Sequence, residues 1–167
     1  MKINIRFLLV LLLTFASSQL MAQTPACETI ITTSSTVITF DSDMVCPDGF
    51  VGTALTIQAD DVTVDGAGFS IVAPGAGAMV IASSVNNLAI LNIQMLGNPG
   101  NGLVLNGVEN STFSNINASG SGGVGYGIYH NGGSSNYFSN ITVHHRSTGI
   151  LIYGADSNST YTDNNLS

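Results

Sequence analysis

Gly102-Leu103-Val104-Leu105 opens a stretch that recurs along the chain. A small residue, Ala or Gly, followed by an apolar strand likewise stands at Ala54-Leu55-Thr56-Ile57, Ala78-Met79-Val80-Ile81, Gly127-Ile128-Tyr129-His130 and Gly149-Ile150-Leu151-Ile152, and the five starts are 24, 24, 25 and 22 residues apart. Within each unit, apolar residues alternate with polar ones over short runs, and Gly, Asn, Asp or Pro punctuate the runs. A period near this length, made of strands and turns without a helical pattern, predicts an all-β parallel solenoid. Each coil should carry three short strands, each stacked on its equivalent one coil away at about 4.8 Å.

Aligned units predict the core. The first strand should turn inward Leu55 and Ile57, Met79 and Ile81, Leu103 and Leu105, Ile128 and His130, and Ile150 and Ile152. The second should supply Val64, Ile90, Phe113, Phe138 and Tyr161. The third should supply Ile93, Ile116 and Ile141, and in the first unit Phe69 and Ile71 should form that strand. His130 reads as a buried, hydrogen-bonded histidine rather than a metal ligand. A polar column at Asn92, Asn115, Asn140 and Asp163, with Gly66 in the first unit, predicts a structural ladder of side chains inside a tight turn.

The flanks carry different signals. Lys2 and Arg6, the apolar run Phe7 to Ala16 and the small or polar residues Ser17 to Ala22 have the order of an export signal, so 1–22 is expected to be a removable leader. Its apolar run is shorter than the roughly 20 residues needed to span a bilayer, so no membrane span is expected. The protein is then secreted, periplasmic or held at the cell surface. Without the leader, Arg146 is the single basic residue against ten acidic ones, a net charge of −9. Such a chain repels phosphate backbones, which excludes nucleic acid.

Cys27 and Cys46 are the two cysteines, and in an exported chain a close pair predicts a disulfide. Residues 23–52 do not fit the repeat and read as an N-terminal cap pinned by that bond. Residues 53–167 read as a β-helix of about four and a half coils with an open C-terminal end. That end should invite self-association, because bare strand edges pair with further strands.

Val62-Thr63-Val64-Asp65-Gly66-Ala67-Gly68-Phe69-Ser70-Ile71 resembles the entry coil of right-handed parallel β-helix proteins, among them the pectin-lyase-like superfamily and the NosD-type periplasmic family linked to nitrous-oxide-reductase maturation. The resemblance covers about residues 27–167 and implies a right-handed coil, which the right-handed crossover rule also favours. It implies little about activity, since one fold hosts many chemistries.

The resemblance also implies that the turn before Gly149 borders a sugar-binding groove on the first sheet. His144-His145-Arg146 occupies that turn. Tyr129, Asn131 and Tyr153 lie outward on the same sheet, and tyrosines beside amides suit a sugar's apolar face and its hydroxyls. These six are the candidate ligand-binding residues. No catalytic residue, metal ligand or cofactor is assigned. The first sheet has no outward carboxylate, and Asp60, Asp61 and Asp65 read as turn residues rather than calcium ligands. The expected function is a non-enzymatic exported module that presents a sheet face to polysaccharide or a surface protein. The alternative is a carbohydrate-active enzyme (lyase, hydrolase or epimerase), or an inactive partial copy of a longer β-helix protein.

Overall fold

The computed structural model describes residues 20–97, 100–122 and 124–167. Residues 1–19, most of the expected leader, lie outside them. A run such as Thr53–Ile57 puts Leu55 and Ile57 on one face, and five residues alone cannot bury that face. Stacking parallel copies does, and the described residues form sixteen strands and no helix.

The strands fall into six coils. Coil one holds β2 (Thr29–Ile31), β3 (Val37–Thr39) and β4 (Met44–Val45), preceded by β1 (Leu20–Ala22). Coil two holds β5 (Thr53–Ile57), β6 (Thr63–Asp65) and β7 (Ser70–Val72). In coils three to five the second and third strands merge: β8 (Ala78–Ser83) and β9 (Ala89–Leu96), β10 (Asn101–Glu109) and β11 (Thr112–Asn117), β12 (Tyr126–Ser134) and β13 (Tyr137–Val143). Coil six holds β14 (Thr148–Ser157), β15 (Thr160–Thr162) and β16 (Asn165–Leu166). First strands make one parallel sheet in the order β14-β12-β10-β8-β5-β2, and the others make a second sheet.

The second-strand column is Ile38, Val64, Ile90, Phe113, Phe138 and Tyr161, in register throughout. Ile93, Ile116 and Ile141 stack likewise. Phe113 and Phe138 lie nearly parallel with ring centroids 4.8 Å apart. Phe69, expected in the third strand of its unit, lies exposed just before β7, and Ile71 faces the core.

One coil differs in the first-strand column. The register places Val80 and Ala82, not Met79 and Ile81, between Leu55 and Ile57 below and Leu103 and Leu105 above. Ala78 to Ala82 is apolar at every position, so alternation could not choose the register. Ile81 turns outward, while Met79, near the start of β8, is fully buried at the corner. That corner explains the glycine starts. A Cβ on Gly102 would lie 2.6 Å from the Gly127 carbonyl oxygen, and one on Gly127 would lie 2.6 Å from that of Gly149. From Gly102 upward the coils approach there too closely for a side chain, whereas Ala54 and Met79 fill the equivalent positions of the coils below.

The segment expected to cap the stack sits at its N-terminal end as a coil in its own right. Thr29 pairs with Leu55, Val37 with Thr63 and Met44 with Ile71. Cys27, before β2, is bonded to Cys46, after β4. The disulfide therefore joins the start of coil one to its end. In β1, Leu20 pairs with Val37, so cleavage after Ala22 would remove this strand.

The polar column lies on the outside rather than within. Asn92, Asn115, Asn140 and Asp163 take φ of 50°, 56°, 51° and 54°, and Asn115, Asn140 and Asp163 are exposed. Asn115 donates its side-chain amide to Asn92 Oδ1 at 2.8 Å, and Asn140 does the same to Asn115. Asn92 donates to Asp65 at 3.0 Å. A left-handed residue here adds a second outward position, after Ser114 in coil four. Phe113 and Ile116, three apart, can then both face the core across a sharp bend. Asn is among the residues that tolerate this conformation best.

Candidate functional site

The outward face of the first sheet carries Thr56, Ile81, Val104, Tyr129 and Leu151 in one column. Beside it run Ser83, Asn106, Asn131 and Tyr153. In coil three the observed register, with Val80 and Ala82 inward, puts Ile81 and Ser83 on this face. Asn131 donates to Asn106 Oδ1, and Asn106 to Ser83 Oγ, both at 3.3 Å. The rings of Tyr129 and Tyr153 lie 6.4 Å apart with 21° between planes. Tyr126, which sequence reading missed, extends the set: its ring lies 5.6 Å from that of Tyr129 at 28°. Its spacing of three from Tyr129 hid it, since period-two alternation fails across the corner between them. Tyr153 is 62 % exposed, and the other two are half-buried.

His144, His145 and Arg146 are not part of this tyrosine face. With Ser167 they line an open depression of about 380 Å³ at the corner leading into β14. His144 Nδ1 pairs with Ser167 Oγ, and the two imidazoles lie 6.5 Å apart. Arg146 departs from its expected role as an accessible ligand contact, because it is only 9 % exposed. Its guanidinium donates to the carbonyls of Ala118 (3.1 Å), Gly100 and Ser119 (3.4 Å). The corner turns back on itself with carbonyls facing inward, and the guanidinium's divergent donors satisfy several of them together. Burial lowers its basicity somewhat.

A second group of polar residues lies inside the coil, where the columns otherwise are apolar. His130 replaces Leu105 and Ile152 in its column and is fully buried. Ser111 N–H donates to Asn136 Oδ1 (3.1 Å), and Asn136 Nδ2 donates to Val108 O (2.7 Å). Those two bonds fix the amide's orientation, so Nδ2 also donates to His130 Nε2 at 3.3 Å. Nε2 is then an acceptor and Nδ1 carries the proton, which it donates to Tyr161 Oη at 2.9 Å. Tyr161 donates in turn to Asp156 Oδ2 (2.7 Å), and Ser159 Oγ donates to Asp156 Oδ1 (2.5 Å). Burial and the Asp156 carboxylate push the Tyr161 phenol well above its ordinary value. The sequence showed the lone histidine but not its partners, which come from the next coil.

The acidic turns are occupied by the fold. Asp60 accepts from Asn86 N–H and Asp61 from the Asn87 amide, each at 2.8 Å. Asp65 accepts from Ala67 N–H at 2.9 Å as well as from Asn92. Among the described residues no group of three or more His, Cys, Asp or Glu is placed to hold a metal ion, and no helix is long and apolar enough to cross a membrane.

These features define a parallel β-solenoid with one aromatic face. The family model of the right-handed beta helix region matches residues 50–167. The chain belongs to that family. Neither the search of curated proteins nor that of solved structures found a match.

Proposed function

We propose that this chain is a non-enzymatic β-helix module, exported from the cell, whose first-sheet face binds glycan through Tyr126, Tyr129, Asn131 and Tyr153. One observation carries the reading: three tyrosine rings within 5.6 and 6.4 Å of one another along one face, beside a row of side-chain amides. Aromatic rings offer sugars an apolar surface, and amides offer both donors and acceptors. Export is supported by the leader pattern at 1–22 and by the Cys27–Cys46 disulfide, a bond that persists in oxidising compartments. The Val62 to Ile71 stretch supports a place near the pectin-lyase-like proteins and the NosD-type periplasmic family.

The pattern of side chains favours binding over catalysis. Arg146, the one arginine near the face, is held by backbone carbonyls, and the buried His130 network is closed by its own partners. His144 and His145 remain as a separate accessible pair, and they supply the contacts for the enzymatic alternative. Co-sedimentation with insoluble neutral and acidic polysaccharides tests the proposal. Tyr129→Ala and Tyr153→Ala should each weaken retention about five- to tenfold, the loss of roughly 1–1.5 kcal/mol of aromatic contact, while His145→Ala leaves it unchanged. Release of new reducing or unsaturated ends from any of these polymers, abolished by His144→Ala, would favour the enzyme instead.

A further inference from the structure

The polar cluster in the core lies between two coils, and this position gives it a use. His130 and Asn136 belong to coil five, whereas Asp156, Ser159 and Tyr161 belong to coil six. Elsewhere in the core the coils are joined by apolar columns. Here the contact runs through an imidazole whose two nitrogens have opposite duties: Nε2 accepts from Asn136 and Nδ1 donates to Tyr161. We propose that His130 is a pH-sensitive latch that holds coil six on the solenoid when neutral and releases it when protonated.

A second proton must go on Nε2. It would then point at Asn136 Nδ2, itself a donor. The amide cannot rotate to offer its oxygen, because Oδ1 is held by Ser111 N–H and Nδ2 by Val108 O. The Nε2 proton would thus face another donor inside the core, which is costly there. Every titratable group facing the ring comes from coil six: Asp156, with Oδ2 3.7 Å from Nδ1, and Tyr161. The coil below presents Leu105 and the Val108 carbonyl, and coil five itself presents the Phe138 ring, 5.3 Å away. Asp156 and a hydrogen bond to the Gly132 backbone favour the cation, but burial outweighs them and holds the imidazole below its ordinary value. Opening coil six breaks the Nδ1–Tyr161 bond and hydrates the ring, which can then turn Nε2 away from the Asn136 amide towards water, so acid favours the open form.

Coil six also carries Tyr153. On the glycan-binding reading above, acid would therefore part Tyr153 from Tyr129 and release the ligand. The latch itself does not depend on that reading, and its test uses no ligand.

Hydrogen exchange on the purified chain, corrected for intrinsic rates, would follow Thr160 N–H, bonded to Asn136 O across the two coils, against Thr112 N–H, bonded to Leu88 O lower down. Below pH of about 6.5, the protection of Thr160 relative to Thr112 should fall with pH, by up to about tenfold per unit for one linked proton. His130→Leu, which fits the Leu105 and Ile152 column, should abolish the slope, and the double variant His144→Gln/His145→Gln should keep it. A flat ratio in the wild type, an unchanged slope in His130→Leu, or a slope lost in the double variant would overturn the proposal. Should His130→Leu not fold, imidazole NMR of the wild type decides. His130 should titrate together with the loss of Thr160 protection. Titration while Thr160 stays protected would contradict the latch.

Discussion

Asn115 donates its amide to Asn92 at 2.8 Å, yet Asn115 is exposed and sits in the left-handed region at φ 56°. The ladder therefore has two separable jobs, hydrogen bonding and bending the chain. Asn115→Ala removes the bond and puts a disfavoured residue at positive φ, so it should cost about 1–2 kcal/mol. Asn115→Gly loses the same bond without the strain and should cost less. Urea unfolding of the pair would show this order. A glycine variant less stable than the alanine variant would mean that the bend is not what the asparagine provides.

The Cys27–Cys46 bond closes a loop with a sequence separation of 19 residues around one whole coil. On the chain-entropy model such a closure is worth about 3 kcal/mol. Reduction should lower stability by about that amount, and exchange protection should be lost first in β2 to β4. Uniform loss of protection along the solenoid would show that the staple does not act locally.

Arg146 ties one corner to the carbonyls of Gly100, Ala118 and Ser119. Arg146→Ala leaves these partly buried acceptors without that donor and should cost about 2–4 kcal/mol. Arg146→Lys should recover little, because an ammonium cannot reproduce the planar, divergent donors. His145→Asn, one residue away, exposed and at φ 56°, keeps a residue that tolerates that conformation and should stay within about 0.5 kcal/mol of wild type. Thermal or urea melts of the three variants test this ranking. Equal small effects would show that the corner does not depend on the guanidinium.

Global stability should depend on pH through His130. Its folded form resists protonation because of burial, so its pKa lies below the ordinary 6.5. As pH falls through 6.5 the unfolded chain takes up a proton that the folded chain refuses. The contribution of the neutral imidazole is therefore complete above that pH and shrinks below it, by at most about 1.4 kcal/mol per pH unit. Denaturant midpoints from pH 7.5 downward would show the fall. His130→Leu should flatten it, and a midpoint that rises between pH 6.5 and 5.5 would reverse the sign assigned here.

Much of the fold could be read from the residues because stacking repeats the same demand in every coil. Phe113, Phe138 and Tyr161 share a column since each packs on the one beneath. The register of coil three was not legible, because Ala78 to Ala82 satisfies either alternation. Residues 23–52 read as a cap because they do not fit the repeat, although Val37 and Ile38 pair as the later strands do. The ladder was legible as a column but not as an outward one, since sequence position does not reveal the sign of φ. For the candidate site, Tyr129 and Tyr153 were recognised from strand alternation. Tyr126 lay across a corner, and Arg146 looked free because its acceptors are backbone carbonyls 27 to 46 residues away, which no side-chain pattern records.

The most direct measurement is a backbone NMR footprint of a bound oligosaccharide on the intact chain, using a polymer retained in the co-sedimentation assay. Shifts should concentrate at Tyr126, Tyr129, Asn131 and Tyr153, spare His144, His145 and Ser167, and vanish in Tyr129→Ala. A footprint centred on the His144 and Ser167 depression, or an unchanged footprint in Tyr129→Ala, would contradict the tyrosine face as the binding site.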